Sequence, residues 1–248
     1  MSNDDLLRKV YPELGAGGFT SVDGSIEFYG RVQALLRDDM TVLDFGAGRG
    51  TWYEDDRCAA RKDTRLIKGH VATVIGCDVD SAVLENRSVD RAMVVRLDEP
   101  LPVESSSIDL IVSDYVFEHV TDVDWFAAEI DRLLKPGGWI CARTPSRFCY
   151  VALFARLVSN RRHATVLKRV QPSRKEVDVF PTAYRLNTRK MLSRSFPPPK
   201  YRNCSYFYSA EPSYHFGNII LFRILQFVHW ATPKWFTGNL FVFLQKVP

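Results

Sequence analysis

Apolar strand-like runs alternate with helical patterns through the first 145 residues, and few folds accommodate that alternation. The strand candidates are Thr41–Phe45, Val71–Cys77, Ala92–Leu97, Ile108–Ser113 and Gly138–Arg143. Between them, Ser25–Leu36 carries Ile26, Tyr29, Val32, Leu35 and Leu36 at helical spacing. Ser81–Val89 follows Asp80, a suitable N-cap. Asp122–Leu134 puts Val123, Phe126, Ile130, Leu133 and Leu134 on one face, with Thr121 and Asp124 spaced as a capping box. Lys135-Pro136-Gly137-Gly138 then stops the helix and turns the chain. Strand–helix alternation of this kind predicts an α/β fold, a parallel sheet covered on both faces.

After Pro145 the pattern changes. Residues 146–186 are basic and weakly periodic and read as an insertion. Asn187-Thr188 suits the start of a short helix carrying Met191, Leu192 and Phe196, ended by Pro197-Pro198-Pro199. Tyr201–Tyr208 is aromatic and strand-like, Phe216–Trp230 is a strongly apolar helix, and Asn239–Val247 reads as a closing strand. For the apolar helix the sequence ranks core packing ahead of an interface, and an interface ahead of a membrane surface.

The chain has 248 residues, 46% hydrophobic and 25% charged. That composition excludes disorder and collagen-like repeats. The N-terminus lacks a basic-then-apolar leader pattern, and no apolar run is long enough to span a bilayer, so the expected compartment is cytoplasmic. Five cysteines without a C-x-x-C pair argue against a disulfide framework or a zinc site, and no metal is expected. The net charge of +4 hides an asymmetry: residues 1–142 carry 15 Lys+Arg against 26 Asp+Glu, and residues 143–248 carry 18 against 3. A basic half attracts anionic partners; the alternative is solvated surface with ion pairing between the halves.

The chemistry concentrates in Val42-Leu43-Asp44-Phe45-Gly46-Ala47-Gly48-Arg49-Gly50. A strand that runs into a glycine-rich turn lets a ligand approach the backbone, beyond the carboxyl ends of the strands. A dinucleotide site would prefer G-x-G-x-x-G, but position 51 is Thr. Asp44 would also repel a pyrophosphate, whereas it suits a ligand with a cationic group. The second strand ends Gly76-Cys77-Asp78-Val79-Asp80, where Asp78 can accept bonds from ribose hydroxyls and Asp80 suits helix capping. The third candidate strand runs into Asp98, Glu99 and Pro100, where Asp98 can accept an adenine amino hydrogen or serve only as a turn residue. Three carboxylates at successive strand ends would share one rim.

Across residues 38–145, VLDFGAGRG, GCDVD, LDEPLPVESSSIDLIVSDYVFEHV and LLKPGGWICARTP occur in the order that resembles class I S-adenosylmethionine-dependent methyltransferases of the small-molecule type. The resemblance implies a Rossmann-like doubly wound sheet of seven strands, mostly parallel with one antiparallel strand, and a cap insertion. It implies S-adenosyl-L-methionine as cofactor. Asp44, Gly46 and Gly48 would surround its methionine part, with Ser113 beside it. Asp78 would hold the ribose, Val79 would lie against the adenine face, and Asp98 would meet the adenine amino group near Glu99. The expected division is an N-terminal cap segment (1–37), a cofactor-binding core (38–145), a basic substrate-side region (146–236) and a closing strand (237–248).

An activated methyl needs an aligned acceptor, and a hydroxyl acceptor benefits from a base. Candidates are Asp114, Tyr115, Glu118 and His119 near the fourth strand end, and His215 in Glu211–Phe216. His119 also reads as a satisfied core group. Ser113-Asp114-Tyr115-Val116 is not the [DN]-P-P-[YF] pattern of many amino-group methyltransferases, and no Pro-Cys dipeptide supplies a thiolate nucleophile. Oxygen is therefore the default acceptor atom, with carbon and amine acceptors still open. The arginine-rich run Arg156, Arg161, Arg162, Lys168, Arg169, Arg174 and Lys175, followed by Arg185, Arg189 and Lys190, suits a small or glycan-type anionic acceptor, a lipid head group or RNA. Tyr201, Tyr206, Phe207 and Tyr208 suit base stacking or simple packing. Two other functions remain open at this point: an NAD-dependent oxidoreductase, and a non-catalytic nucleotide- or nucleic-acid-binding module.

Overall fold

The computed structural model describes residues 3–150, 152–153 and 181–248. The arginines and lysines expected to make up the centre of the basic region, from Arg156 to Lys175, lie outside the described residues.

The strands are β1 (Thr41–Phe45), β2 (Thr73–Asp78), β3 (Arg91–Val94), β4 (Ile108–Asp114), β5 (Leu134–Pro145), β6 (Tyr201–Asn203), β7 (Tyr206–Tyr208) and β8 (Asn239–Lys246). They form one sheet in the order β3-β2-β1-β4-β5-β8-β6, with β7 also paired to β8. β1 to β5 pair in parallel, and β8 runs antiparallel to its neighbours. β6 and β7 are two pieces of one edge strand. Tyr201 faces Lys246 and Tyr208 faces Asn239 in an unbroken register along β8. Between the pieces Phe243 donates its N–H to the Ser205 hydroxyl, and Cys204 donates its N–H to the Phe243 carbonyl. The sheet has eight strands against the seven expected, because the edge strand is split into β6 and β7, and it is mostly parallel with one antiparallel strand, as expected.

The described helices of four or more residues are α1 (Asn3–Val10), α2 (Gly24–Gln33), α3 (Trp52–Asp55), α4 (Ala59–Arg65), α5 (Val123–Leu133), α6 (Arg189–Ser195), α7 (Ile219–Ala231) and α8 (Lys234–Thr237). One core lies between the sheet and α5–α6, built on Leu43, Ile111, Phe117, Phe126, Ile130 and Phe196. The second lies on the α2 side, around Phe28, Val42, Val74, Leu110 and Phe241. A sheet buried on both faces needs the near-continuous apolar runs that mark β1, β4 and β8.

Several local expectations shift. Asp122 caps α5 by accepting from the Trp125 N–H, in place of the Thr121–Asp124 box. Ser81–Glu85 is a short 3-10 turn and not a helix to Val89, because Asn86 turns inward to donate to the Ala47 and Gly48 carbonyls. β3 ends at Val94, three residues before the expected Leu97. The Lys135–Gly138 turn is a register irregularity inside β5, with Gly137 at φ +82. The aromatic strand packs inward: Tyr206 stacks on Phe243 and Tyr208 on Phe241, so these rings are engaged in the fold.

Candidate active site

The sheet order changes direction between β1 and β4, and ligands of open α/β sheets enter the crevice beyond the strand ends at such a switch. The turn after β1 forms one wall. Gly46 and Ala47 both donate their N–H groups to the Cys77 carbonyl, at 2.8 and 3.1 Å, and Gly48 donates to Asp78 Oδ2 at 2.9 Å. The three glycines of the turn serve different neighbours. A Cβ on Gly46 would stand 2.3 Å from Val116, the residue that follows β4 closely, and one on Gly50 would stand 2.2 Å from Asn86 Oδ1. On Gly48 it would meet only Asp78 Oδ2, at 4.0 Å. Gly46 and Gly50 are thus held by packing, while the Gly48 side of the turn is open.

Asp44, the penultimate residue of β1, lies in this crevice. Protein surrounds it, yet it keeps partial solvent contact. Burial pushes its pKa up to about 7; Arg65 opposes the shift, and Asp114 and Asp78 add to it. No hydrogen bond reaches its side chain from the described residues. A carboxyl raised by desolvation and by neighbouring carboxylates favours a cation beside it. Asp78, the last residue of β2, accepts from Gly48 with one oxygen and from the Asp80 N–H with the other, each oxygen keeping a second acceptor position. Val79 is 44% exposed, as an apolar platform at the sheet edge requires. An open glycine edge, an acid without a donor and an acceptor-rich Asp78 fit a cationic nucleoside such as S-adenosylmethionine.

Other expected contacts are placed differently. β3 ends at Val94, and Asp98 lies in the turn that follows its carboxyl end. Its carboxylate pairs with Arg96 at 2.9 Å, and that bonding holds its pKa low. Glu99 shares the same arginine at 3.3 Å. Ser113 is wholly buried and donates its hydroxyl to the Phe45 carbonyl, which ties β4 to β1.

The candidate bases also separate. Asp114 takes both arms of Arg143 at 2.7 Å, Arg65 at 3.1 Å and the Tyr29 hydroxyl at 3.3 Å. Burial raises its pKa, but Arg143 and Arg65 more than reverse that and hold it below the usual range. An anion so well supplied with donors is a poor proton acceptor. His215 is buried, and its Nδ1 accepts from the Gly217 N–H, which occupies its basic nitrogen. Burial also lowers its pKa. His119 differs: its Nδ1 lies 2.9 Å from the Pro181 carbonyl, an acceptor, so Nδ1 carries the hydrogen and Nε2 the lone pair. Glu118 accepts from the Thr144 hydroxyl, and its carbonyl accepts from the Ala183 and Tyr184 N–H groups. Glu118 thus pins residues 181–187 over the β4–β5 edge.

The sequence reading missed Tyr29, Arg65, Arg143 and Asn86. Arg65 stacks 4.4 Å from the Trp52 ring and 5.3 Å from Tyr29, beside both acids. Arg143, near the end of β5, is open to the same strand-end reasoning as the acids. Nothing local marks Asn86, whose partners lie 38 and 39 residues away.

A methyltransferase domain family model matches residues 25–207. A probable S-adenosylmethionine-dependent methyltransferase of Mycolicibacterium smegmatis is 33% identical over 115 residues, covering 44% of this chain and 39% of the relative. One from Mycobacterium tuberculosis is 31% identical over 112 residues, covering 44% and 37%. The chain thus spans well under half the length of the curated relatives it matches. A SAM-dependent methyltransferase from Archaeoglobus fulgidus superposes with a TM-score of 0.55 at 14% identity, over 99% of this chain and 100% of its own. A geranyl diphosphate methyltransferase solved with SAM gives 0.54 at 11%, over 90% and 84%. Those identities speak to the fold, and the family match extends over most of the chain. The crevice beside Asp44 therefore has a known lineage: this chain belongs to the class I S-adenosylmethionine-dependent methyltransferases.

Proposed function

We propose that the chain transfers a methyl group from S-adenosylmethionine to an oxygen of a small or glycan-type anionic acceptor. The observation that carries the donor half is Asp44, an acid with a raised pKa and no hydrogen-bond donor among the described residues, beside an open glycine edge. The bound donor supplies a methyl already activated on a positively charged sulfur. Asp44 offsets the positive charge, and Asp78 accepts from the ribose hydroxyls. The NAD-dependent alternative is disfavoured, because the Gly46, Ala47 and Gly48 N–H groups are already used by Cys77 and Asp78 and cannot cradle a pyrophosphate.

In this reading residues 38–145 bind the donor, residues 1–37 and 146–236 form the acceptor side, and residues 237–248 close the sheet. Two contacts support that division of labour. Thr20 in the N-terminal segment hydrogen-bonds Glu211, and Asp23 pairs with Arg61 of α4 at 2.8 Å. His119, whose Nε2 bears the lone pair, is the base that takes the acceptor's proton; Asp114 and Arg143 position the edge on which it stands. Holding the acceptor in line contributes on the order of 7–11 kcal/mol. An anionic acceptor follows from the arginine-rich composition after residue 143.

Calorimetry with S-adenosylmethionine and with NADH tests the donor. Asp78→Ala is expected to abolish donor binding with only a small loss of stability; unchanged affinity refutes the ribose assignment. A labelled-methyl screen over acidic glycans, phospholipids and RNA tests the acceptor. Donor binding with salt-sensitive RNA binding and no transfer to any acceptor would favour the non-catalytic module.

A further inference from the structure

A helix resting on a protein core normally turns its apolar stripe inward and its charges outward. α7 does the reverse. Phe222 is its one buried residue, whereas Ile220, Ile224, Phe227 and Trp230 are 70%, 54%, 63% and 81% exposed. At 3.6 residues per turn, these four lie within about a third of the helix circumference. Only Arg223 adds a charge to that arc, and its guanidinium turns along the helix to Gln226 Oε1 at 2.8 Å. Phe216 before the helix and Trp235 after it are 60% and 44% exposed. Ile220, Arg223, Ile224 and Phe227 line a shallow groove of about 450 Å³. An exposed apolar stripe of this extent marks an interaction surface.

Charge identifies the occupant. No Asp or Glu occurs from Pro212 to Pro248, while Arg223 stands on α7 and Lys234 at the start of α8 directly after it. A two-fold pairing of α7 with a second copy would bring like charges together, Arg223 and Lys234 of each copy. An anionic surface instead matches both the stripe and the charge. Tryptophan and phenylalanine are also the side chains suited to the boundary between acyl chains and head groups. α7 has 13 residues, about 20 Å of helix, which falls short of the ~30 Å hydrocarbon layer. No described helix is long and apolar enough to cross a membrane.

We propose that α7 lies in the plane of an anionic bilayer surface, with Ile220, Ile224, Phe227 and Trp230 among the acyl chains and Arg223 and Lys234 at the head groups. The inference rests on this surface alone and does not depend on the acceptor.

Sedimentation of the full chain with vesicles tests it, using phosphatidylcholine alone and an equal mixture with phosphatidylglycerol. The chain is expected to bind the mixed vesicles, to blue-shift its tryptophan emission there, and to detach as salt rises. Phe227→Asp combined with Trp230→Asp should weaken partitioning about tenfold or more with an unchanged Tm. Ile224→Asp, away from both aromatic residues, should act in the same direction. Equal retention of the variants, or equal binding to neutral vesicles, overturns the proposal. So does a dimer in light scattering that these substitutions dissociate, together with no vesicle binding.

Discussion

Asp114 and Arg143 face each other in the register of β4 and β5, and their side chains close a two-armed ion pair at 2.7 Å on both arms. The third arm of Arg143 donates to Ser25 on α2, which ties the helix to the rim of the crevice. Tyr115, at φ +59, lies with its ring 4.9 Å from the same guanidinium. Both charges are nearly buried, with side chains 7% and 11% exposed. Removing one leaves the other without its main partner in a low-dielectric site. Arg143→Met should therefore lower stability by about 3–5 kcal/mol in urea unfolding. Arg65→Met, which removes a single 3.1 Å arm from Asp114, should cost clearly less. Equal losses would mean that the pair is not the dominant partner.

Gly46 and Gly48 should respond differently to alanine. At Gly46 the new Cβ meets Val116 at 2.3 Å on a backbone with φ +78, so Gly46→Ala should lose stability, with partial recovery when Val116→Ala is added. At Gly48 the space is open, and φ +52 costs an alanine only about 1–2 kcal/mol. Gly48→Ala should fold and yet bind S-adenosylmethionine weakly, because its methyl enters the ligand's approach. Thermal melts and calorimetry on both variants read the contrast.

Asp44 should make the stability of the protein depend on pH. Its pKa, about 7 when folded against 3.8 when free, means that the folded state binds more protons between those values. Its contribution to stability is therefore fully present below about pH 4 and is lost as pH rises through about 7. Asp44→Asn should flatten that decline. A cationic donor favours the charged form, so its binding should release protons below pH 7, and its affinity should rise with pH and level off above 7. Calorimetry in two buffers of different ionisation enthalpy measures the release. A pH-independent affinity would remove Asp44 from the donor site.

The two histidines should separate kinetically. Loss of a general base typically costs 10²–10⁴-fold in rate, so His119→Gln should lower kcat on that scale and remove the acidic limb of its pH profile. His215→Gln should leave that limb intact, since its Nδ1 is committed to the Gly217 N–H. A preserved acidic limb in His119→Gln would assign that residue to structure alone.

The sequence by itself determined the sheet and the glycine turn beside Asp44, because both depend on local patterns. Apolar runs such as Val42-Leu43 and Ile111-Val112 form strands buried on two faces, and Gly46-Ala47-Gly48 next to Asp44 specifies the turn wherever the rest of the chain lies. Tertiary structure decided the rest. Which carboxylate stays without a donor depends on arginines from other elements: Arg143 and Arg65 converge on Asp114 from 29 and 49 residues away, while no hydrogen bond from the described residues reaches the Asp44 side chain. β3 ends early, which leaves Asp98 in the following turn paired with Arg96, and the Ser113 hydroxyl is engaged by the Phe45 carbonyl. The apolar helix after Asn218 was legible as a helix, but its outward-facing stripe was not, because periodicity records which residues share a face and not what that face meets.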